Sequence, residues 1–112
     1  MNRYLAETQK SKQLYERAKR VFPAGVSYFI RHIEPYPFYT AKAKGSKLVD
    51  ADGNEYIDFW MGHYTLILGH SPPKIMRKVK RQIEKGTHYG TCHELEIALA
   101  EQVVKMVPSA EM

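Results

Sequence analysis

The side chains best suited to chemistry fall in three places along the chain. Cys92 and His93 are adjacent, with His88 five residues before His93. Zinc sites pair two ligands two to four residues apart and add a second pair elsewhere. Nothing completes such a set, so no metal centre is expected. There is no glycine-rich phosphate loop, and no nucleophile, base and orienting acid can be assigned from spacing. The second place is residues 26–37, where Arg31, His32 and Glu34 are interleaved with Tyr28, Phe29, Ile30 and Tyr36. Pro35 and Pro37 hold the residues before them extended, no helical period survives, and loops of this kind carry binding residues disproportionately. The third is the run Lys74, Arg77, Lys78, Lys80, Arg81 and Lys85. These cations could meet phosphates, but no recognised nucleic-acid module accompanies them. A solvated helix face is the expected reading.

The elements that must position these residues follow from local signals. Leu14, Tyr15, Ala18, Val21 and Phe22 recur at helical steps and predict a helix over residues 8–21, which residues 23–25 stop. Residues 38–43, 46–50 and 55–59 are strand material, separated by Lys44-Gly45 and by residues 50–54, each with the glycine that hairpin loops favour. They predict a three-stranded antiparallel meander. Ser71 as N-cap and Pro72 at the first position open a helix to about residue 85, with Ile75, Met76, Val79 and Ile83 as its buried stripe and Gly86 closing it. Thr91 and Glu94 read as a capping box for a last helix over 91–107, stopped by Pro108. Leu95, Ile97, Leu99, Ala100, Val103, Val104 and Val107 cover more than one face of it, so it expects neighbours on several sides. The fold class is α+β, with residues 1–70 holding the first helix, sheet and aromatic loop, and residues 71–112 the two later helices.

Composition bounds the rest. The chain has 112 residues, 44% of them hydrophobic, and a net charge of +5, which excludes collagen, low-complexity and disulfide-rich classes. One cysteine makes no internal disulfide, and a reducing cytosol is the natural compartment. No apolar run approaches the roughly 20 residues that span a bilayer, and the polar first twelve residues are no secretory signal.

Order and spacing then carry a resemblance. The runs Gly53-Asn54-Glu55-Tyr56-Ile57-Asp58-Phe59, Ile67-Leu68-Gly69-His70-Ser71-Pro72-Pro73, Glu94-Leu95-Glu96, Leu99-Ala100-Glu101 and Val107-Pro108-Ser109-Ala110-Glu111-Met112 follow one another. With Leu14-Tyr15-Glu16-Arg17-Ala18 and Pro23-Ala24-Gly25-Val26, the chain resembles, from about Ser11 onward, the N-terminal part of the class-III aminotransferases dependent on pyridoxal phosphate. The likeness is greatest to their glutamate-1-semialdehyde aminomutase branch. It implies a fold-type-I α/β enzyme, usually a homodimer, whose N-terminal helix and small sheet lead into a large cofactor domain, acting on a small amino-acid-like substrate.

By the same resemblance, Arg31 falls where the aminomutases grip the substrate carboxylate, a task suited to a guanidinium. An ion pair of Arg31 with Glu34 or Asp58 is the competing structural reading. Tyr28 stands at a substrate-contacting serine, His63 at an active-site tryptophan, and Tyr64-Thr65 replaces a Gly-Pro pair. Tyr28, His63 and Tyr64 are therefore expected to shape the pocket beside Arg31. These departures keep open an aminotransferase for a β- or ω-amino acid. The family's phosphate-binding turn and Schiff-base lysine have no match here. The resemblance thus implies the first part of a longer enzyme or a truncated product, inactive alone and holding no covalent cofactor. A non-catalytic dimerisation fragment and a basic nucleic-acid-binding module are the rivals from other classes.

Overall fold

The computed structural model describes residues 3–111, which form two compact units, one ending at Ile75 and the other beginning at Met76. The first unit opens with two short helices, α1 (Arg3–Glu7) and α2 (Gln9–Ala18). Only the second was expected, and it is shorter than residues 8–21. Beyond Ala18 the chain tightens into three-residue steps, Arg20 N–H to Arg17 O and Val21 N–H to Ala18 O, before Pro23–Gly25 turns it away. Thr8 stands at the N-cap of α2 without capping it, because its hydroxyl donates to the Tyr4 carbonyl. Asp52, from a distant loop, caps the helix instead: its carboxylate accepts Lys10 N–H at 2.6 Å, Ser11 N–H at 2.9 Å and the Ser11 hydroxyl at 2.8 Å.

The meander is present as β1 (Thr40–Lys44), β2 (Lys47–Asp50) and β3 (Glu55–Ile57), antiparallel in the order β1-β2-β3, with Leu48 opposite both Ala43 and Tyr56. Asp50 shapes the β2–β3 loop, its carboxylate accepting the N–H groups of Asp52 and Asn54 and the Tyr56 hydroxyl. Burial pushes the Asp50 carboxyl up, but the bonds from Asn54, Tyr56 and Asp52 outweigh it and hold it below the usual range. Tyr56 pays the converse: burial, then its bond to Asp50, pushes the phenol up to about 12.

The centre of this unit is polar. Tyr36 is its buried large apolar side chain, and Thr8, Ser11 and Asp50 are buried with it. Tyr36 packs on Tyr4 and Tyr15, with ring centroids 5.4 and 6.4 Å away, and its phenol meets the Thr8 hydroxyl at 3.1 Å. Hydrogen bonds rather than an apolar core tie α1 and α2 to the sheet, while Phe59, Ile67 and Val21 lie exposed.

The first unit also holds a single helical turn, α3 (Met61–Tyr64), and the second contains most of α4 (Pro73–Ile83) and all of α5 (Glu94–Met106). Two expected caps move. The earlier helix begins at Pro73, not Pro72, and Ser71 has φ +52°, outside the extended backbone that an N-cap adopts. The later helix is capped by His93 and Glu96 rather than Thr91 and Glu94. His93 Nδ1 accepts Leu95 N–H at 3.1 Å, and Glu96 returns the bond to His93 N–H at 2.9 Å. Tyr89 stacks on the His93 ring 5.0 Å away, which holds the imidazole at the cap. The stripe expected to be buried on α4 is not: Ile75, Val79 and Ile83 are exposed, as are the apolar side chains of α5. The periodicity is real, but among the described residues these side chains stay exposed.

Candidate functional site

Arg31 ends a single tight turn, Phe29–Arg31, within the aromatic segment. Its Nη1 donates to Ser27 Oγ at 3.2 Å, and its guanidinium carbon lies 5.9 Å from the Tyr28 ring centroid, within cation–π range. The carboxylates expected to compete for it are engaged elsewhere. Glu34 lies 3.8 Å from His32 Nε2, and Asp58 lies 2.6 Å from His70 Nε2. Among the described residues no carboxylate forms an ion pair with the Arg31 guanidinium. Beside it runs a groove of about 390 Å³ lined by Phe22, Val26, Ser27, Phe38 and Tyr39.

The loop after β3 reaches this segment through His63, whose ring lies 5.9 Å from that of Tyr28. Asp58 is fixed by its own N–H to Ser46 O at 2.8 Å, and its Oδ1 accepts the N–H groups of Trp60 at 2.8 Å and Met61 at 3.0 Å. The His70 hydrogen bond holds the Asp58 carboxyl below the usual range, against the opposing effect of burial. The chain then makes one helical turn, α3 (Met61–Tyr64), in the left-handed sense, with φ of +45°, +58°, +61° and +63° at its four residues. Gly62 adopts this freely, but Met61, His63 and Tyr64 each bear roughly 1–2 kcal/mol of steric cost. Further on, Gly69 (φ +78°) lets the backbone press against the β1–β2 hairpin. A Cβ there would meet the Gly45 oxygen at 3.0 Å, and Gly45 and His70 exchange N–H···O bonds of 2.9 and 2.8 Å.

This turn brings the four expected residues into one chain of contacts. The His63 ring lies 5.9 Å from Tyr28, and Trp60 lies 4.9 Å from His63, edge-on, and 5.5 Å from Tyr64. The order is Arg31, Tyr28, His63, Trp60, Tyr64. Sequence reasoning missed Trp60 as a member of the site, although it is the only tryptophan of the chain and stands two residues from Gly62. It also missed Ser27, which lies four residues from Arg31. A lone guanidinium beside aromatic faces and an apolar groove suits a carboxylate with an apolar body attached.

A family model described as aminotransferase class-III matches residues 28–112. The glutamate-1-semialdehyde 2,1-aminomutase of Methanosarcina acetivorans is 52% identical over 103 residues, covering 92% of this chain and 24% of the relative. Among solved structures, an ω-transaminase from Sphaerobacter thermophilus superposes with a TM-score of 0.89 at 40% identity, over 97% of this chain and 25% of that one. A transaminase with pyridoxal phosphate bound gives 0.90 at 34% identity, over 94% and 25%. The chain spans about a quarter of the length of the relatives it matches.

Proposed function

Because this chain belongs to the class-III aminotransferase family, we propose that it supplies the substrate-carboxylate site of a pyridoxal-phosphate enzyme that moves an amino group, as in the aminomutase that it resembles at 52% identity. The observation that carries this reading is the Arg31 guanidinium: oriented by Ser27 and Tyr28 and left without a carboxylate partner among the described residues. Arg31 binds the acid group of the substrate by a two-point, charge-assisted contact. Tyr28, His63 and Tyr64 flank the bound molecule with apolar faces and keep water from that contact.

None of the five side chains of the cluster is an amine that could be joined to pyridoxal phosphate, and the reading gives them the substrate acid. When bound, that cofactor supplies the electron sink for amino-group movement; this chain's part is to hold and orient the acid. A second reading, an aminotransferase for a β- or ω-amino acid, is favoured by the likeness to the ω-transaminase and by the aromatic lining. A homodimer and a cytoplasmic setting belong to the same proposal, supported by the exposed apolar side chains of α5 and by the single exposed cysteine, Cys92.

The test places this chain in the Methanosarcina aminomutase in place of the 103 residues it matches and compares Arg31→Lys and Arg31→Ala. Charge-assisted contacts of this kind contribute about 1.5–3 kcal/mol, so kcat/KM should fall about ten- to a hundredfold. Alanine should be worse than lysine, with the melting temperature steady. If Arg31→Ala unfolds the protein while turnover per folded molecule is unchanged, Arg31 is a structural residue and the reading fails.

A further inference from the structure

We propose that Asp58 and His70 are positioning residues for the Arg31 site, holding the left-handed turn Met61–Tyr64 so that it presents His63 to Tyr28. This rests on the reading of Arg31 as the carboxylate-binding group. The turn does not hold itself. Three of its four residues carry side chains at positive φ, and such a conformation persists only where its surroundings over-determine it.

Asp58 does so with both carboxylate oxygens. Oδ1 accepts the two N–H groups that lead into the turn, from Trp60 and Met61, and Oδ2 meets His70 Nε2. Each end of the loop is also pinned by backbone: Asp58 N–H to Ser46 O, and His70 to Gly45 through both of its own backbone groups. Both anchors lie at the tip of the β1–β2 hairpin, so the carboxylate is clamped between two points of one rigid element. The Asp58 and His70 side chains are 8% and 19% exposed, against more than half for Lys47 and Glu55, the ion pair across β2 and β3. Solvent screens the first pair far less than the second.

The effect reaches Arg31 through contacts in series. The clamp sets the turn, the turn sets His63, His63 lies against Tyr28, and Tyr28 lies under the guanidinium. A guanidinium free to swing loses the alignment that a two-point contact requires.

Trp60 is the only tryptophan and its indole packs within the cluster, so the indole band of the near-UV circular dichroism of the 112-residue chain reports the turn without an enzyme assay. Asp58→Ala should abolish that band while the far-UV spectrum is kept. Asp58→Asn, which retains an oxygen for the two N–H groups, should preserve most of it. His70→Ala should weaken it. Should Asp58→Ala unfold the chain, His70→Ala, which leaves the backbone bridge to Gly45 in place, decides the matter alone. In the aminomutase carrying this segment, His70→Ala should raise KM about tenfold with kcat nearly unchanged, and Asp58→Asn should raise it much less than Asp58→Ala does. An indole band untouched by Asp58→Ala or His70→Ala overturns the proposal, and so does Asp58→Asn proving as damaging as alanine. A silent Arg31→Ala alongside a lost indole band removes the Arg31 reading and leaves the hold of Asp58 and His70 on the turn standing.

Discussion

Replacing Asp52 with alanine would detach α2 from the sheet. The carboxylate is the cap of that helix, delivered from the β2–β3 loop across 41 and 42 residues of sequence. Its loss removes an N-cap, which costs about 1 kcal/mol. It also leaves the Ser11 hydroxyl, fully buried, without the acceptor it donates to, for about 1–2 kcal/mol more. Asp52 is itself partly exposed, so its charge adds little beyond these bonds, and the sum is about 2–3 kcal/mol. With 10 residues, α2 is shorter than the roughly 12–15 at which isolated helices persist in water, so local melting follows. Hydrogen exchange at the Lys10 and Ser11 amides should accelerate about 30- to 100-fold, at 1.4 kcal/mol per decade. Asp52→Asn, which keeps one oxygen, should show roughly half the free-energy loss on the same scale. Unchanged protection at those two amides in Asp52→Ala would refute the reasoning and mean that other contacts hold the helix.

The other predictions concern pH and association. Hydrogen bonds hold Asp50, Asp52 and Asp58 below the usual carboxylate range. Their stabilisation is therefore complete above the unfolded-state value of about 3.9 and is lost as the pH falls through the lowered folded-state values; urea midpoints that stay flat across that acid range would contradict it. Tyr56, raised to about 12, stabilises fully below the ordinary tyrosine range and stops doing so as the pH rises through about 12. Tyrosinate absorbance should show a last ionisation step that Tyr56→Phe removes. The exposed apolar side chains of α5 should drive self-association of the isolated chain or leave this helix partly disordered. Light scattering should then show mass rising with concentration, reduced by Leu99→Glu; a monomer at every concentration with α5 fully protected would contradict both outcomes.

Much of the architecture was legible because its causes are local. Glycine-bearing loops between short β-rich runs define the three strands whatever surrounds them, whereas α4 ends at Ile83, two residues short of the end that Gly86 suggested. Caps were less legible. Thr91–Glu94 and His93–Glu96 share the same spacing, and the choice between them was made by the Tyr89 ring stacked on His93. The periodicity of α4 marks which side chains favour burial, but no pattern within one helix says what covers them, and Ile75, Val79 and Ile83 are exposed.

The site divides along the same line. Its residue types were readable: an aromatic, charged segment around Arg31, and family-like motifs that singled out Tyr28, His63 and Tyr64. That these four meet, that Trp60 joins them, and that Glu34 and Asp58 are engaged elsewhere depended on tertiary structure. The deciding contacts link Asp58 to His70 across 12 residues, Tyr28 to His63 across 35, and Asp52 to Ser11 across 41. Short-range propensity weighs a residue against its neighbours within a turn or two. A carboxylate that caps a remote helix, or clamps a turn in the left-handed region, gains its energy from partners that only the folded chain brings within hydrogen-bond reach.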